Sequence, residues 1–544
     1  MKDTMIYLDG KSLTVEDVLN IAEKGYKVDF KEETRQAIDQ MRKRLDEQIE
    51  KHPERKIYGT NVLHGDLKDT QVPLELINEY QVKFMKVHNC GTGQPLPVEV
   101  VRAIMVIRLN SFAKNLSAMR LETCQLMIDM LNRNVTPWVL EEGSVGASGD
   151  LVPLAMIGAV LIGLPQAKAY YNGKLYGSQT EGDDEDGGSL RAFEDAGLKT
   201  IRLGAKEAMG LTNGSNFISA GAVFAVRDAE SILNSASVAA ALSLEAIRGE
   251  QDAFSPLIHD NRPHEGQSHI ARQMRSLIHG SRRTSKESQK VAFPSQTNAG
   301  ERVQDRYSFR AVPQVHGSAY EAVKKLRDVV TIEINSATDN PLFTLDDQGF
   351  LEAKSGANFH GHPLATVIDY VKISLTGLAL ISDKRSFSML DHRLSYGLPS
   401  DLAYDLATAD GGLMITQYAG AARAAECRVL STPASVMSIS TAANQEDFVS
   451  MGSIGILHLR KIIQNIRVIL GVEILCALRG IQLTQTYLPG DLQGMGRGTA
   501  AVYEHLCHVL GPVGEDQYLR TDMEKAIALV QSGDLIAWVA DCLD

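Results

Sequence analysis

The chain has 544 residues, of which 44% are hydrophobic and 22% charged, and its formal net charge is -12. A chain of this length buries a large core and divides into two or more layers or domains, and an acidic balance without a long Lys/Arg block excludes a nucleic-acid-binding surface. Six scattered cysteines (Cys90, Cys124, Cys427, Cys476, Cys507, Cys542) form no CxxC pair, which is the pattern of reduced thiols. The opening MKDTMIYLDGKSLT has no apolar signal core. The most apolar run, residues 151–164, holds Pro153 and two glycines and is shorter than the roughly 20 residues a membrane-spanning helix needs. The expectation is a cytoplasmic protein with no membrane partner.

In chain order, Ser12 or Thr14 caps a helix with Glu16 and Asp17 in its first turn. Residues 32–52 form a charged amphipathic helix, with Ala37, Ile38, Met41, Leu45 and Ile49 at helical spacing. A glycine-punctuated loop follows from Ile57 to Leu67, led by Tyr58-Gly59. Residues 74–88 are helical and run into Asn89-Cys90-Gly91-Thr92-Gly93, which lacks the strand-GxxxxGK context of a phosphate loop. Long helices occupy 98–131.

Ala147-Ser148-Gly149 then admits two readings. It is a plain loop into a helix over 151–164, capped by Asp150. Alternatively, the small residues let the turn press the Gly149 nitrogen onto the Ala147 carbonyl carbon. The backbone then cyclises with loss of water, and loss of the Ser148 hydroxyl leaves a conjugated methylene, an electrophile that no ordinary side chain supplies. Downstream, residues 170–174 form a small hairpin, and the acidic run 181–186 is a solvated loop. From about residue 212 the pattern is almost wholly helical, with an Ala/Ser/Val-rich stretch at 219–247 suited to close helix packing. Asn213-Gly214 on its own reads as a turn, Asn340-Pro341 as a helix stop, and Glu446 as an acidic cap before a helix over 454–478. His360 and His362 have no third ligand at metal spacing. Residues 488–544 show further helices without a motif.

The strings GSVGASGDLVPLA (143–155), LTNGS (211–215), VQDRYSFRAVPQ (303–314), NFHG (358–361) and NQEDFVSM (444–451) occur in one order. Together they resemble the blocks of the aromatic amino acid ammonia-lyases and 2,3-aminomutases, and the likeness runs over nearly the whole chain. The resemblance implies a mainly α fold. An N-terminal domain over 1–210 carries the lid loop and reactive turn, long helices form a central bundle over 211–480, and C-terminal helices occupy 481–544. It also implies a homotetramer with shared active sites, and conversion of Ala147, Ser148 and Gly149 into the prosthetic group 4-methylideneimidazol-5-one (MIO), with no external cofactor and no metal.

By the same resemblance Tyr58 is the catalytic base. Val87 and His88 line the substrate ring, while Asn213, Gln304 and Tyr307 hydrogen-bond around the substrate and MIO. Arg310 grips the substrate carboxylate with its planar fork. Phe359 packs near the MIO, and Gln445 and Glu446 form the floor. Because a phenol ordinarily titrates near pH 10 (about 10), the site is expected to favour the Tyr58 phenolate, helped by helix N-termini aimed at it.

Two features depart from the family pattern: Val62-Leu63-His64-Gly65 replaces the lid's Thr-Gly-Phe-Gly, and Phe448 replaces a usual histidine. The long insertion of plant phenylalanine lyases is missing, as in bacterial members of the family. His88 with Glu446 leans towards histidine as the small-molecule substrate, giving urocanate and ammonia. Tyrosine or phenylalanine, a 2,3-aminomutase making a β-amino acid, and a catalytically inactive relative are the alternatives. The other helical lyase group, of the fumarase and aspartase type, needs a Gly-Ser-Ser-x-Met-Pro-x-Lys-x-Asn loop, which this chain lacks.

Overall fold

The computed structural model describes residues 4–177, 188–295, 302–404, 410–511 and 518–543; the acidic run at 181–186 lies outside them. The architecture is mainly helical, as the sequence implies. Its local signals act as physical chemistry requires. Of the two candidate caps, Thr14 takes the role: its Oγ1 accepts from the Asp17 amide at 3.0 Å, and the Asp17 carboxylate accepts from the Thr14 amide at 3.1 Å. Ser12 instead donates its hydroxyl to Asp9. The helix Val15–Lys24 so begun ends at Gly25 with φ 68°, the left-handed stop glycine permits.

That helix links two parallel strands, Met5–Leu8 and Lys27–Phe30. The next, Glu32–Lys51, buries Ile38, Met41, Leu45 and Ile49 on one face. Strand Thr92–Pro95 pairs antiparallel with Leu140–Glu142. The expected hairpin is present: Tyr170 faces Leu175 across an Asn172-Gly173 turn with φ 46° and 83°, and Val135–Pro137 adds a third strand. Helix Val312–Glu333 stops well before Asn340-Pro341, which instead leads into the strand Leu342–Leu345, paired with Leu351–Lys354.

Packing divides the chain into two units, each assembled from three separated stretches. The first comprises Met1–Phe224, Leu326–Asp369 and Pro433–Leu457 and holds all four small sheets among the described residues. The second comprises Ala225–Lys325, Tyr370–Thr432 and His458–Asp544. The boundaries 210/211 and 480/481 drawn from the sequence fall inside the first and second unit respectively. The longest helices are Asn216–Ala246, His362–Leu390 and Gly452–Tyr487. Among the described residues His362–Leu390 alone has the length and apolarity to cross a membrane, but 61% of its apolar window is buried in the protein, as in a core helix.

The second unit is held internally by a buried charge cluster. The Glu473 carboxylate accepts from Arg385 Nε at 2.5 Å, Arg385 Nη2 at 2.9 Å, Ser243 Oγ at 2.7 Å and the Ser382 hydroxyl. Both charged side chains are fully buried. Such a pair contributes little net stability over an apolar replacement, but losing one partner strands the other charge. Glu473→Gln should therefore cost about 3–5 kcal/mol in urea unfolding, whereas Glu473→Leu combined with Arg385→Leu should recover most of that loss.

Candidate active site

A short backbone contact shapes the reactive turn. Gly149 has φ 78° and forms a bridge with Gly214. A Cβ added at Gly149 would lie 2.5 Å from the Gly214 carbonyl oxygen, so no other residue fits without moving backbone. The Asp150 amide donates to the same carbonyl at 2.8 Å. The other arm of the turn is clamped as well. The Met451 amide donates to the Val145 carbonyl at 3.0 Å, and Ser453 Oγ donates to the Ser144 carbonyl at 2.8 Å. Between the two clamps Ala147 and Ser148 face a cavity of about 480 Å³.

Asp150 corrects one expectation. It precedes helix Leu151–Leu161 but makes no side-chain cap there. Its carboxylate instead accepts from the Ile218 amide at 3.0 Å, in the first turn of Asn216–Ala246, and from Ser144 Oγ at 3.4 Å. Burial pushes its pKa up to about 7, against the opposing pull of the Ile218 and Phe217 amides and the Ser144 hydroxyl.

The first unit brings Tyr58, Asn213, Phe359, Gln445 and Glu446 to the same cavity as Ser148. Ser148 Oγ donates to Glu446 Oε1 at 2.5 Å, and Thr441 Oγ1 donates to Glu446 Oε2 at 2.9 Å. Glu446 caps no helix, since the next one begins at Gly452. Asn213 Nδ2 donates to the Asn340 carbonyl at 3.2 Å. Its Oδ1 is buried without a hydrogen-bond partner among the described residues, an acceptor free for a donor in the cavity.

The Tyr58 hydroxyl accepts from the Gly65 amide at 3.4 Å. Burial raises its pKa, the Gly65 amide opposes this, and the Glu446 carboxylate adds to the rise. The expected phenolate is therefore not favoured by the groups around it here. Phe448 is 56% exposed and stacks on His360, with ring centroids 5.9 Å apart. Lys68, which donates to Gln445 Oε1 at 2.9 Å, and Asn340 also line the cavity. Sequence reasoning passed over both, because a loop lysine and an Asn-Pro pair carry no distinguishing spacing.

Other expected residues do not reach this cavity. Val87 is 68% exposed. His88 Nδ1 donates to the Phe84 carbonyl at 2.8 Å and its ring stacks on Phe84 at 3.9 Å. Neither lines the cavity. Gln304, Tyr307 and Arg310 belong to the second unit. There Gln304 is exposed, Tyr307 is 73% exposed, and the Arg310 guanidinium lies 4.7 Å from the Tyr307 ring centre with Nε buried and unpartnered among the described residues.

A family model described as aromatic amino acid lyase matches residues 13–508. The chain is 36% identical over 529 residues to a histidine ammonia-lyase of Caldanaerobacter subterraneus subsp. tengcongensis, with 97% of each chain covered. Among solved structures, the histidine ammonia-lyase from Trypanosoma cruzi is 32% identical with a TM-score of 0.84, over 99% of this chain and 96% of that one. The tyrosine aminomutase from Streptomyces globisporus is 30% identical with a TM-score of 0.87, over 99% of both.

The raised pKa of Asp150 has a defined consequence for stability. The folded chain keeps a proton that the unfolded chain releases near the ordinary value of 3.8. This group's contribution is thus fully present below pH ~4 and lost as pH rises through ~7. Denaturant unfolding of Asp150→Asn across that window should show a flatter dependence of stability on pH than the parent protein.

Proposed function

The chain belongs to the aromatic amino acid lyase family, a family of carbon–nitrogen lyases, and from that premise we propose that it eliminates ammonia from L-histidine to give urocanate. The observation that carries the reading is Ser148, held on a turn that only glycine permits at 149 and hydrogen-bonded to Glu446 at the cavity. That geometry suits formation of MIO from Ala147, Ser148 and Gly149, and the free Oδ1 of Asn213 is an acceptor for the substrate's amino group. Once formed, MIO supplies the electrophile that makes an amine a workable leaving group.

The chain's own side chains do the rest. Tyr58 removes the β-proton, oriented by the Gly65 amide on its hydroxyl. Glu446, anchored by Thr441, holds the substrate amine and its proton. Gln445 and Phe359 complete the floor and wall. Arg310, Tyr307 and Gln304 come to this cavity from neighbouring copies in a homotetramer; the exposure of Tyr307 and the unpartnered Nε of Arg310 support that assignment. A guanidinium arriving beside Tyr58 favours the phenolate and offsets the burial that raises its pKa. The six free cysteines fit a reducing, cytoplasmic setting.

Histidine as substrate is favoured by relatives named as histidine ammonia-lyases. A tyrosine 2,3-aminomutase is the second reading, favoured by the likeness to the Streptomyces globisporus enzyme. Intact mass separates chemistry from substrate. The wild-type chain should weigh two waters less than its sequence, and Ser148→Ala should show no such loss. Mass-confirmed protein should then release urocanate from histidine, and Tyr58→Phe should lower kcat by roughly 10²–10⁴-fold. Mature protein that yields neither urocanate, coumarate, cinnamate nor a β-amino acid would refute the assignment.

A further inference from the structure

The loop that begins at Tyr58 is closed at its base by backbone and at its tip by side chains. At the base, the Val72 amide donates to the Asn61 carbonyl at 2.9 Å and the Leu63 amide donates to the Thr70 carbonyl at 3.0 Å. Asn61 is buried, and its side chain accepts from the Ile57 amide and donates to the Arg55 carbonyl. The tip contains the tight turn Gly65–Leu67, whose first amide holds the Tyr58 hydroxyl. Two side chains tie the tip to other elements, one on each side of that turn. His64 Nδ1 hydrogen-bonds the Tyr80 hydroxyl at 2.7 Å, and Lys68 Nζ donates to Gln445 Oε1 at 2.9 Å.

The seat for His64 is written into the helix Ile77–His88. Tyr80, Phe84 and His88 follow at intervals of four, so they share one face. Phe84 and His88 stack, and the His64 ring lies edge-on to Phe84 at 4.7 Å and 5.1 Å from His88. Burial strongly raises the pKa of Tyr80, so it stays a neutral phenol. Burial lowers that of His64, with His88 adding to the fall and Glu446 opposing it, so the imidazole stays neutral. Two neutral partners make a hydrogen bond without a charge to desolvate.

We propose that His64 and Lys68 are positioning residues that fasten the loop tip on either side of Gly65 and so fix the amide that orients the base Tyr58. This rests on the reading of Tyr58 as base. Neither anchor is needed for the loop's base, which its own backbone closes. His64 touches no part of the cavity, so its effect passes through Gly65. Phenylalanine at position 64 would keep the ring packing on Phe84 and lose only the bond to Tyr80.

Amide exchange of the peptide spanning residues 62–70, read by mass spectrometry on the intact substrate-free protein, tests the anchoring. His64→Phe and Tyr80→Phe should each speed that exchange about five- to tenfold, and the double variant should go no further, because both singles remove the same bond. Lys68→Met should do likewise and Lys68→Arg should restore protection. With histidine as substrate, His64→Phe should lower kcat by a similar factor and leave KM within about twofold. Unchanged exchange, additive singles or a change confined to KM would each overturn the proposal. Tyr58→Phe assayed alongside separates the two readings. Faster exchange in His64→Phe, together with full turnover in Tyr58→Phe, would refute the base and with it the positioning role.

Discussion

The contact between Gly149 and Gly214 is the constraint from which the site follows. Two backbones touch where no Cβ can stand, and the Asp150 amide closes the contact on the Gly214 carbonyl. Glycine costs more conformational entropy on folding than any other residue, so this approach is maintained by what surrounds it. The Asp150 carboxylate reaches from one arm of the turn to the first amides of helix Asn216–Ala246, linking the two chain segments a second time. With residues 451 and 453 gripping 145 and 144, the turn is fixed from both sides and Ser148 is left at the cavity wall.

A second site element is held under strain. Ala442, Ala443 and Asn444 all have positive φ, 47°, 53° and 66°. Non-glycine residues in that region cost of order 1–3 kcal/mol each, so the turn persists because its neighbours determine it. The Thr441 amide donates to the Glu446 carbonyl at 2.9 Å, and its hydroxyl holds the Glu446 side chain. The result is a carboxylate aimed at Ser148 before any ligand arrives, the preorganisation that makes electrostatic catalysis effective.

Where a signal is local, the sequence is a sufficient guide. The capping box at Thr14, the Asn172-Gly173 hairpin and the apolar face of Glu32–Lys51 depend on neighbours within a few residues, and each forms as read. Asp150 fails as a local cap because a buried helix N-terminus distant in sequence competes for the same carboxylate. The family blocks identify Ser148, Asn213, Phe359 and Glu446, and these do share one cavity. The same blocks give no warning that His88 folds back onto its own helix, since the Phe84 carbonyl that captures it is a backbone group common to every sequence. Nor do they indicate what His64 does. That residue departs from the family pattern, and its meaning appears only when Tyr80, Phe84 and His88 are seen on one helical face.

The titration of Tyr58 bears on how the site is completed. Within its own unit the phenol meets burial and the Glu446 carboxylate, both favouring the protonated form, and a single amide opposing them. Lys56 and Lys68 line the same cavity, but neither donates to the phenol: Lys68 donates to Gln445 and Lys56 to the Asp69 carbonyl. On the reading of Tyr58 as base, positive charge arriving from a neighbouring copy favours its phenolate. On the proposed assembly, Arg310 of a neighbouring copy supplies it while gripping the substrate carboxylate. Substrate binding then partly neutralises the cation that activates the base. Glu446 must accordingly hold the substrate ammonium close, so that the bound zwitterion leaves the field at Tyr58 nearly unchanged. A carboxylate fixed by Thr441 and already adjacent to Ser148 meets that requirement without rearrangement, whereas a mobile one would move towards the arginine and quench both groups.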